Sequence, residues 1–199
     1  MFPLNLPNVL TLLRILLVPV VVVALLDATP NGSILAAGVF ALAAATDGID
    51  GYLARSRQSI TNFGKLMDPI ADKLLIAAAL ISLVSADRLA GWVAMIIIAR
   101  EFAVSGLRVA AGAQGVVIPA SRLGKVKTIV QVATVFALIA VHDTGVWWVQ
   151  LLVYLTVAVT AISGADYFLN FRRRIEEARE KMVRDAASVV SRQRSTDSA

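Results

Sequence analysis

Six apolar runs, roughly residues 9–26, 34–54, 67–86, 89–111, 124–142 and 147–170, each approach the ~20 residues that an α-helix needs to cross the hydrocarbon of a bilayer. Lipid offers no hydrogen bonds, so each run must satisfy its own backbone, and helices are expected throughout. A chain of 199 residues that is 58% hydrophobic and 17% charged cannot bury so much apolar side chain in a soluble core. The predicted fold is therefore all-α: a polytopic bundle of six transmembrane helices, joined by short connections so that neighbours run antiparallel. Residues 1–171 form the membrane domain, with residues 1–8 as an interfacial entry. Residues 172–199 form a basic tail with eight Lys or Arg against five Asp or Glu. The tail opens on Arg172, Arg173 and Arg174 as a charged helix, and composition predicts disorder from Ser191 onward. With no cysteine, disulfide frameworks, thiol nucleophiles and Cys-ligated metals are excluded. No cleavable signal peptide is expected, because no basic residue precedes Arg14 and no small-residue cleavage site stands out.

Charge placement predicts orientation. The connection around 55–66 carries Arg55, Arg57 and Lys65, that around 112–127 carries Arg122, Lys125 and Lys127, and the tail is basic again. The opposite connections hold Arg88 alone. The positive-inside rule places both termini in the cytoplasm, in a cell (inner) membrane protein. The basic surplus then belongs to the cytoplasmic loops, and no nucleic-acid partner is expected. Trp92, Trp147 and Trp148 read as an aromatic belt at the other face, with His142, the single histidine, in an interfacial loop beside Asp143.

Against this background four aspartates stand within 26 residues: Asp47, Asp50, Asp68 and Asp72. A carboxylate is expensive at membrane depth, about 2.5–3.5 kcal/mol on insertion scales. Two divalent cations would compensate four negative charges, and such pairs perform phosphoryl chemistry. Asp47 and Asp50, three apart, share a helix face at the end of the second run; Asp68 and Asp72, four apart, share one at the start of the third. Gly51 and Ala54 leave room beside the first pair, and Arg55 can grip a phosphate. Pro69 suits a first helical turn with Asp68 as its cap. Oxygen ligands without His or Cys favour Mg²⁺ or Mn²⁺ over zinc. Taken alone, Asp68 and Asp72 could be a cap and a partner for Lys65 or Lys73. Asp47 and Asp50 alone could be ordinary loop acids. A cation transporter is the rival reading of a different class, but it needs polar residues through the full depth, and the acids crowd one end.

The segment resembles the signature of the CDP-alcohol phosphatidyltransferase family, Asp-x2-Asp-Gly-x2-Ala-Arg-x8-Gly-x3-Asp-x3-Asp, matched at Asp47, Asp50, Gly51, Ala54, Arg55, Gly64, Asp68 and Asp72. Further similarity runs through Leu6–Arg14, Arg100–Arg108, Gly124–Thr128 and Ser163–Tyr167. The resemblance implies transfer of the phosphatidyl group from CDP-diacylglycerol to sn-glycerol 3-phosphate, giving phosphatidylglycerophosphate and CMP. Inositol phosphate, or phosphatidylglycerol for cardiolipin synthesis, are the alternative acceptors. It implies Asp47, Asp50 and Asp68 as ligands of two Mg²⁺ or Mn²⁺ ions, Asp72 sharing the second ion and acting as general base. It also implies Asn8, Gly51, Ala54 and Arg55 at the nucleotide, and a homodimer. The acceptor's phosphate then needs cations that the aspartate motif does not spare. Arg108, Lys125 and Lys127 are the expected source, with Arg100 deeper. Glu101, Ser105 and Arg108 fall on one face of the fourth run, and the rival there is an Arg100–Glu101 structural pair.

Overall fold

The computed structural model describes residues 6–27, 30–57, 62–113, 115–116 and 122–197, with side chains described for 8–27, 32–46, 67–113, 115–116, 123–181 and Arg184. These residues form six helices and no strand: α1 Leu6–Leu26, α2 Pro30–Arg57, α3 Asn62–Ser85, α4 Gly91–Ala113, α5 Arg122–Ala140 and α6 Trp147–Asp197. Each predicted apolar run lies within or nearly within one helix. Asn8–Leu26, Leu123–Ala140 and Trp147–Lys181 are long and apolar enough to cross a membrane, and Gly32–Thr46 is a shorter apolar helix. In α3 the apolar stretch is shortened by Asp68, Asp72 and Lys73, and in α4 by Arg100, Glu101 and Arg108. Of the charges that shorten these two apolar stretches, all but Asp68 line one cavity.

Among the described residues the helices pack as two groups of three. In the first, α1 lies against both α2 and α3, which touch each other far less; in the second, α6 lies against α4 and α5. Contacts of α2 with α5, and of α3 with α4 and α5, join the halves. Helical periodicity explains which faces meet. The buried stripe of α1 is Asn8, Thr11, Arg14, Val18, Val21 and Leu25, polar at one end and apolar at the other. In α6 the stripe is Val149, Val153, Thr156, Thr160, Ser163 and Tyr167. Its small hydroxyl residues allow close approach to α5, where Thr134 Oγ1 lies 2.7 Å from Thr156 Oγ1. Phe40, Leu75, Leu80, Leu83, Ile97, Leu138 and Ile139 fill the shared core. Leu16 (66%), Val23 (69%), Ile34 (72%) and Ile129 (70%) point outward, as lipid contact requires and water would penalise.

Opposite the site, Arg88 ties the bundle by donating to the Ile139 carbonyl at 3.2 Å and to Ser33 Oγ at 3.0 Å. Trp92, Trp147 and Trp148 are exposed at that end, and His142 is exposed in the loop before α6. One local expectation is corrected. The third helix begins at Asn62, so Asp68 is not its cap and Pro69 is inside it. Proline at an interior position removes a backbone donor, which lies where the polar cavity opens. Helix α6 continues unbroken past Arg172, where the charged tail begins, to Asp197. Exposed i,i+4 pairs, Arg172–Glu176, Arg173–Glu177 and Glu180–Arg184, support that extension.

Candidate active site

The polar end of the bundle is assembled from all six helices. From α1, Arg14 is buried and donates through Nε to the Ala43 carbonyl of α2 at 3.3 Å. One turn earlier, buried Thr11 donates through Oγ1 to Asp68 Oδ1. The first helix thus acts as a strut, fixing α2 by an arginine and one motif carboxylate of α3 by a hydroxyl. Asn8 is buried on the same stripe. Helix α2 carries the backbone through Asp47, Asp50, Gly51, Ala54 and Arg55, and the surroundings of these residues and of Gly64 lie outside the described residues. Among the described residues no group of three acids or histidines gathers as a metal cluster.

The half of the motif that is described has the chemistry of a hard-cation site. Asp68 and Asp72 stand one turn apart on α3, both half-buried, offering only carboxylate oxygens. The bond from Thr11 to Asp68 leaves that carboxylate oriented, as second-sphere partners do for metal ligands. These residues fit Mg²⁺ or Mn²⁺.

Asp72 marks the junction of two cavities. One, of ≈ 460 Å³, lies between α3, α4, α5 and α6 and is lined by Asp72, Arg100, Arg108, Lys125 and Lys127 among others. The other, of ≈ 540 Å³, is an apolar groove between α2, α3 and α5, lined by Phe40, Leu75, Ile76, Val132 and Phe136, and it too reaches Asp72. Thr128 and Ile129 border both. The four cationic residues expected near an acceptor phosphate therefore line one cavity with Asp72. With Lys73, five cations face two carboxylates, Asp72 and Glu101.

The cations are not equivalent. Lys127 is buried and pairs through Nζ with Glu101 Oε1. Arg100 Nη1 lies 3.5 Å from the same oxygen, so the Arg100–Glu101 pair exists but is shared with α5. Arg100 Nη2 donates to Ser163 Oγ at 3.2 Å. Gly164 lets the arginine stem lie flat on α6, since a Cβ there would sit 3.2 Å from Arg100 Cγ. Arg108 and Lys125 are exposed, and the Arg108 guanidinium stands 5.8 Å from the centroid of the Tyr167 ring. Four residues gained no role from sequence: Thr11, Ser163, Gly164 and Tyr167. Ser163, Gly164 and Tyr167 had a signal available, because they share one face of α6 at helical spacing. Thr11 lies within Leu6–Arg14, a stretch similar to the family, but nothing in that stretch gave the threonine a role of its own.

A helical bundle whose polar end joins a carboxylate pair, a polycationic cavity and an apolar groove is built for an amphiphile and a small anion. Residues 4–162 match the CDP-alcohol phosphatidyltransferase family, and the chain belongs to it. Among its relatives is the CDP-diacylglycerol–glycerol-3-phosphate 3-phosphatidyltransferase of Bacillus subtilis, 40% identical over 181 residues, covering 82% of this chain and 93% of the relative. The probable phosphatidylglycerophosphate synthase of Mycobacterium tuberculosis is 42% identical over 181 residues, covering 88% and 86%. An enzyme of Pseudomonas fluorescens with the same name as the Bacillus protein is 42% identical over 155 residues, covering 74% and 78%.

Proposed function

We propose that this chain is an integral-membrane transferase of phospholipid synthesis, moving the phosphatidyl group of CDP-diacylglycerol to sn-glycerol 3-phosphate with release of CMP. The observation that carries this reading is the position of Asp72, where the cationic cavity meets the apolar groove. A lipid donor needs an apolar berth next to the reacting phosphorus, and a small anionic alcohol needs cations on the other side. The names of the relatives, at about 40% identity, supply the same donor and acceptor.

In this reading an acyl chain of the donor lies along Phe40, Ile76, Val132 and Phe136. Its diphosphate faces the motif, with Asn8, Gly51, Ala54 and Arg55 toward the nucleotide. Two Mg²⁺ or Mn²⁺ ions held by Asp47, Asp50, Asp68 and Asp72 would polarise the phosphorus and neutralise the departing CMP phosphate. Thr11 holds the Asp68 carboxylate through its hydroxyl. Arg108, Lys125 and Lys127, with Arg100 deeper, hold the acceptor's phosphate so that its free hydroxyl reaches Asp72. Asp72 takes the hydroxyl proton, the acceptor oxygen bonds to the phosphorus bearing diacylglycerol, and the bond to CMP breaks with its electron pair leaving on CMP. The five cations around the cavity disfavour passage of a positive ion, which argues against the transporter reading.

The bundle crosses the cell membrane six times, with both termini and the site facing the cytoplasm, and the chain works as a homodimer. Only the family resemblance supports the dimer. Purified protein in detergent, with CDP-diacylglycerol, Mg²⁺ or Mn²⁺ and a panel of acceptors, should release CMP fastest with glycerol 3-phosphate. Faster release with inositol phosphate or phosphatidylglycerol would move the assignment to that acceptor.

A further inference from the structure

At the end of the bundle away from the candidate active site, α3 closes in a turn that ordinarily favours glycine. The Arg88 amide donates to the Leu83 carbonyl at 2.9 Å and the Asp87 amide to the Val84 carbonyl at 3.1 Å, which leaves Asp87 at a φ of 55°. Aspartate adopts that left-handed conformation at a cost that glycine avoids. The carboxylate it brings is exposed and makes no hydrogen bond or ion pair among the described residues, not even with adjacent Arg88. Arg88 is half-buried, and two of its five N–H groups go to neutral acceptors, the Ile139 carbonyl and Ser33 Oγ. Its charge too lacks a counter-ion among the described residues. Asp87 and Arg88 line one cavity of ≈ 380 Å³ with Trp92, Thr144, Gln150 and Tyr154. Gln150 spends its amide nitrogen on the Thr144 carbonyl at 2.8 Å, leaving its amide oxygen as a further acceptor.

A simple anion in this cavity would meet Asp87, and a simple cation would meet Arg88. A zwitterion satisfies both. Trp92 and Tyr154 are half-exposed at the level where aromatic side chains meet lipid headgroups. Met95, one turn along α4 on the face of Trp92, is 69% exposed and offers apolar surface beside the charged pocket. We propose that this cavity binds the headgroup of a zwitterionic phospholipid, its phosphate on Arg88 and its ammonium on Asp87. Such a site requires the bundle to cross the bilayer and is independent of the chemistry at the other end. The cavity joins the α3–α4 turn to the start of α6, so its occupant ties the two halves of the bundle together.

The test titrates the full chain in detergent with phosphatidylethanolamine or phosphatidylglycerol and counts bound lipid by native mass spectrometry. The wild type should bind the ethanolamine lipid about tenfold more tightly, because one charge-assisted bond to Asp87 separates the two, and that lipid should raise the unfolding midpoint. Asp87→Asn, which suits the same backbone, should lose the preference while keeping the lipid-free midpoint and CMP release. Arg88→Gln should weaken both lipids about tenfold. Equal affinity of the wild type for the two lipids, or a preference that survives Asp87→Asn, means ordinary surrounding lipid and overturns the assignment. Free phosphoethanolamine that displaces the lipid at the same concentration would give the cavity to a soluble ligand and equally overturn it.

Discussion

The pairing of Lys127 with Glu101 makes the two lysines of α5 unequal, and the inequality can be measured. Removing exposed Lys125 as Lys125→Met deletes one charge-assisted contact to the acceptor. At the lower end of roughly 1.5–3 kcal/mol, that is about tenfold in kcat/KM for glycerol 3-phosphate. Lys127→Met deletes a buried cation and also strips Glu101 of its α5 partner. A carboxylate ~6 Å from a phosphate charge at an effective dielectric near 20 repels it by about 3 kcal/mol. Arg100, 3.5 Å from the same carboxylate oxygen, offsets part of that repulsion. The sum approaches ~4 kcal/mol, or a loss of about a thousandfold. Glu101→Gln combined with Lys127→Met removes the stranded charge and should recover to within about a hundredfold of the wild type. The assay is CMP release at saturating CDP-diacylglycerol with glycerol 3-phosphate varied, each variant checked for its unfolding midpoint. A double variant no better than Lys127→Met, or Lys127→Met no worse than Lys125→Met, would refute the role assigned to this pair.

Thr11→Val, nearly isosteric, should raise the Mg²⁺ or Mn²⁺ concentration for half-maximal activity by about tenfold, because an outer-sphere bond to Asp68 is lost. Alanine at Asp47, Asp50, Asp68 or Asp72 should abolish CMP release at any metal concentration, and near-normal turnover in three of the four would remove the carboxylate motif from the reaction. A cysteine at Ser59 or Ser198 in this Cys-free chain should be labelled only from the cytoplasmic side, and one at Asn31 or Thr144 only from outside. Reversed labelling contradicts the orientation.

The six helices were legible as elements because a long apolar run must close its own backbone hydrogen bonds, while the polar start of α3 and the polar end of α6 were not. Arg100, Arg108, Lys125 and Lys127 were legible as a group because an acceptor phosphate needs cations that the aspartate motif does not spare, and the four do line one cavity. Lateral order was not legible: nothing in residues 6–26 says that α1 wedges against both α2 and α3, since hydropathy reports depth rather than neighbours. The bonds that follow from that order, Thr11 to Asp68 and Arg14 to Ala43, were hidden for the same reason. Lys127 read as a free phosphate ligand because Glu101 lies 26 positions away on another helix. Asp68 read as a cap because the apolar run begins near it, whereas the helix begins in the polar residues before it.

The division into two groups of three helices also has a direction in time. The half containing α1 to α3 leaves the ribosome first and carries all four motif aspartates, while Arg100, Arg108, Lys125 and Lys127 arrive with the second half. During that interval the first half carries the four acids of the motif with only the basic residues around 55–66 close in sequence to offset them. The second half brings the opposite charge to the same end of the bundle. Mutual attraction of the two polar ends therefore favours closure of the halves in the correct register, and discriminates against docking that would place either polar end at the wrong depth. The charges proposed to hold substrate thus also bear on how the two halves meet.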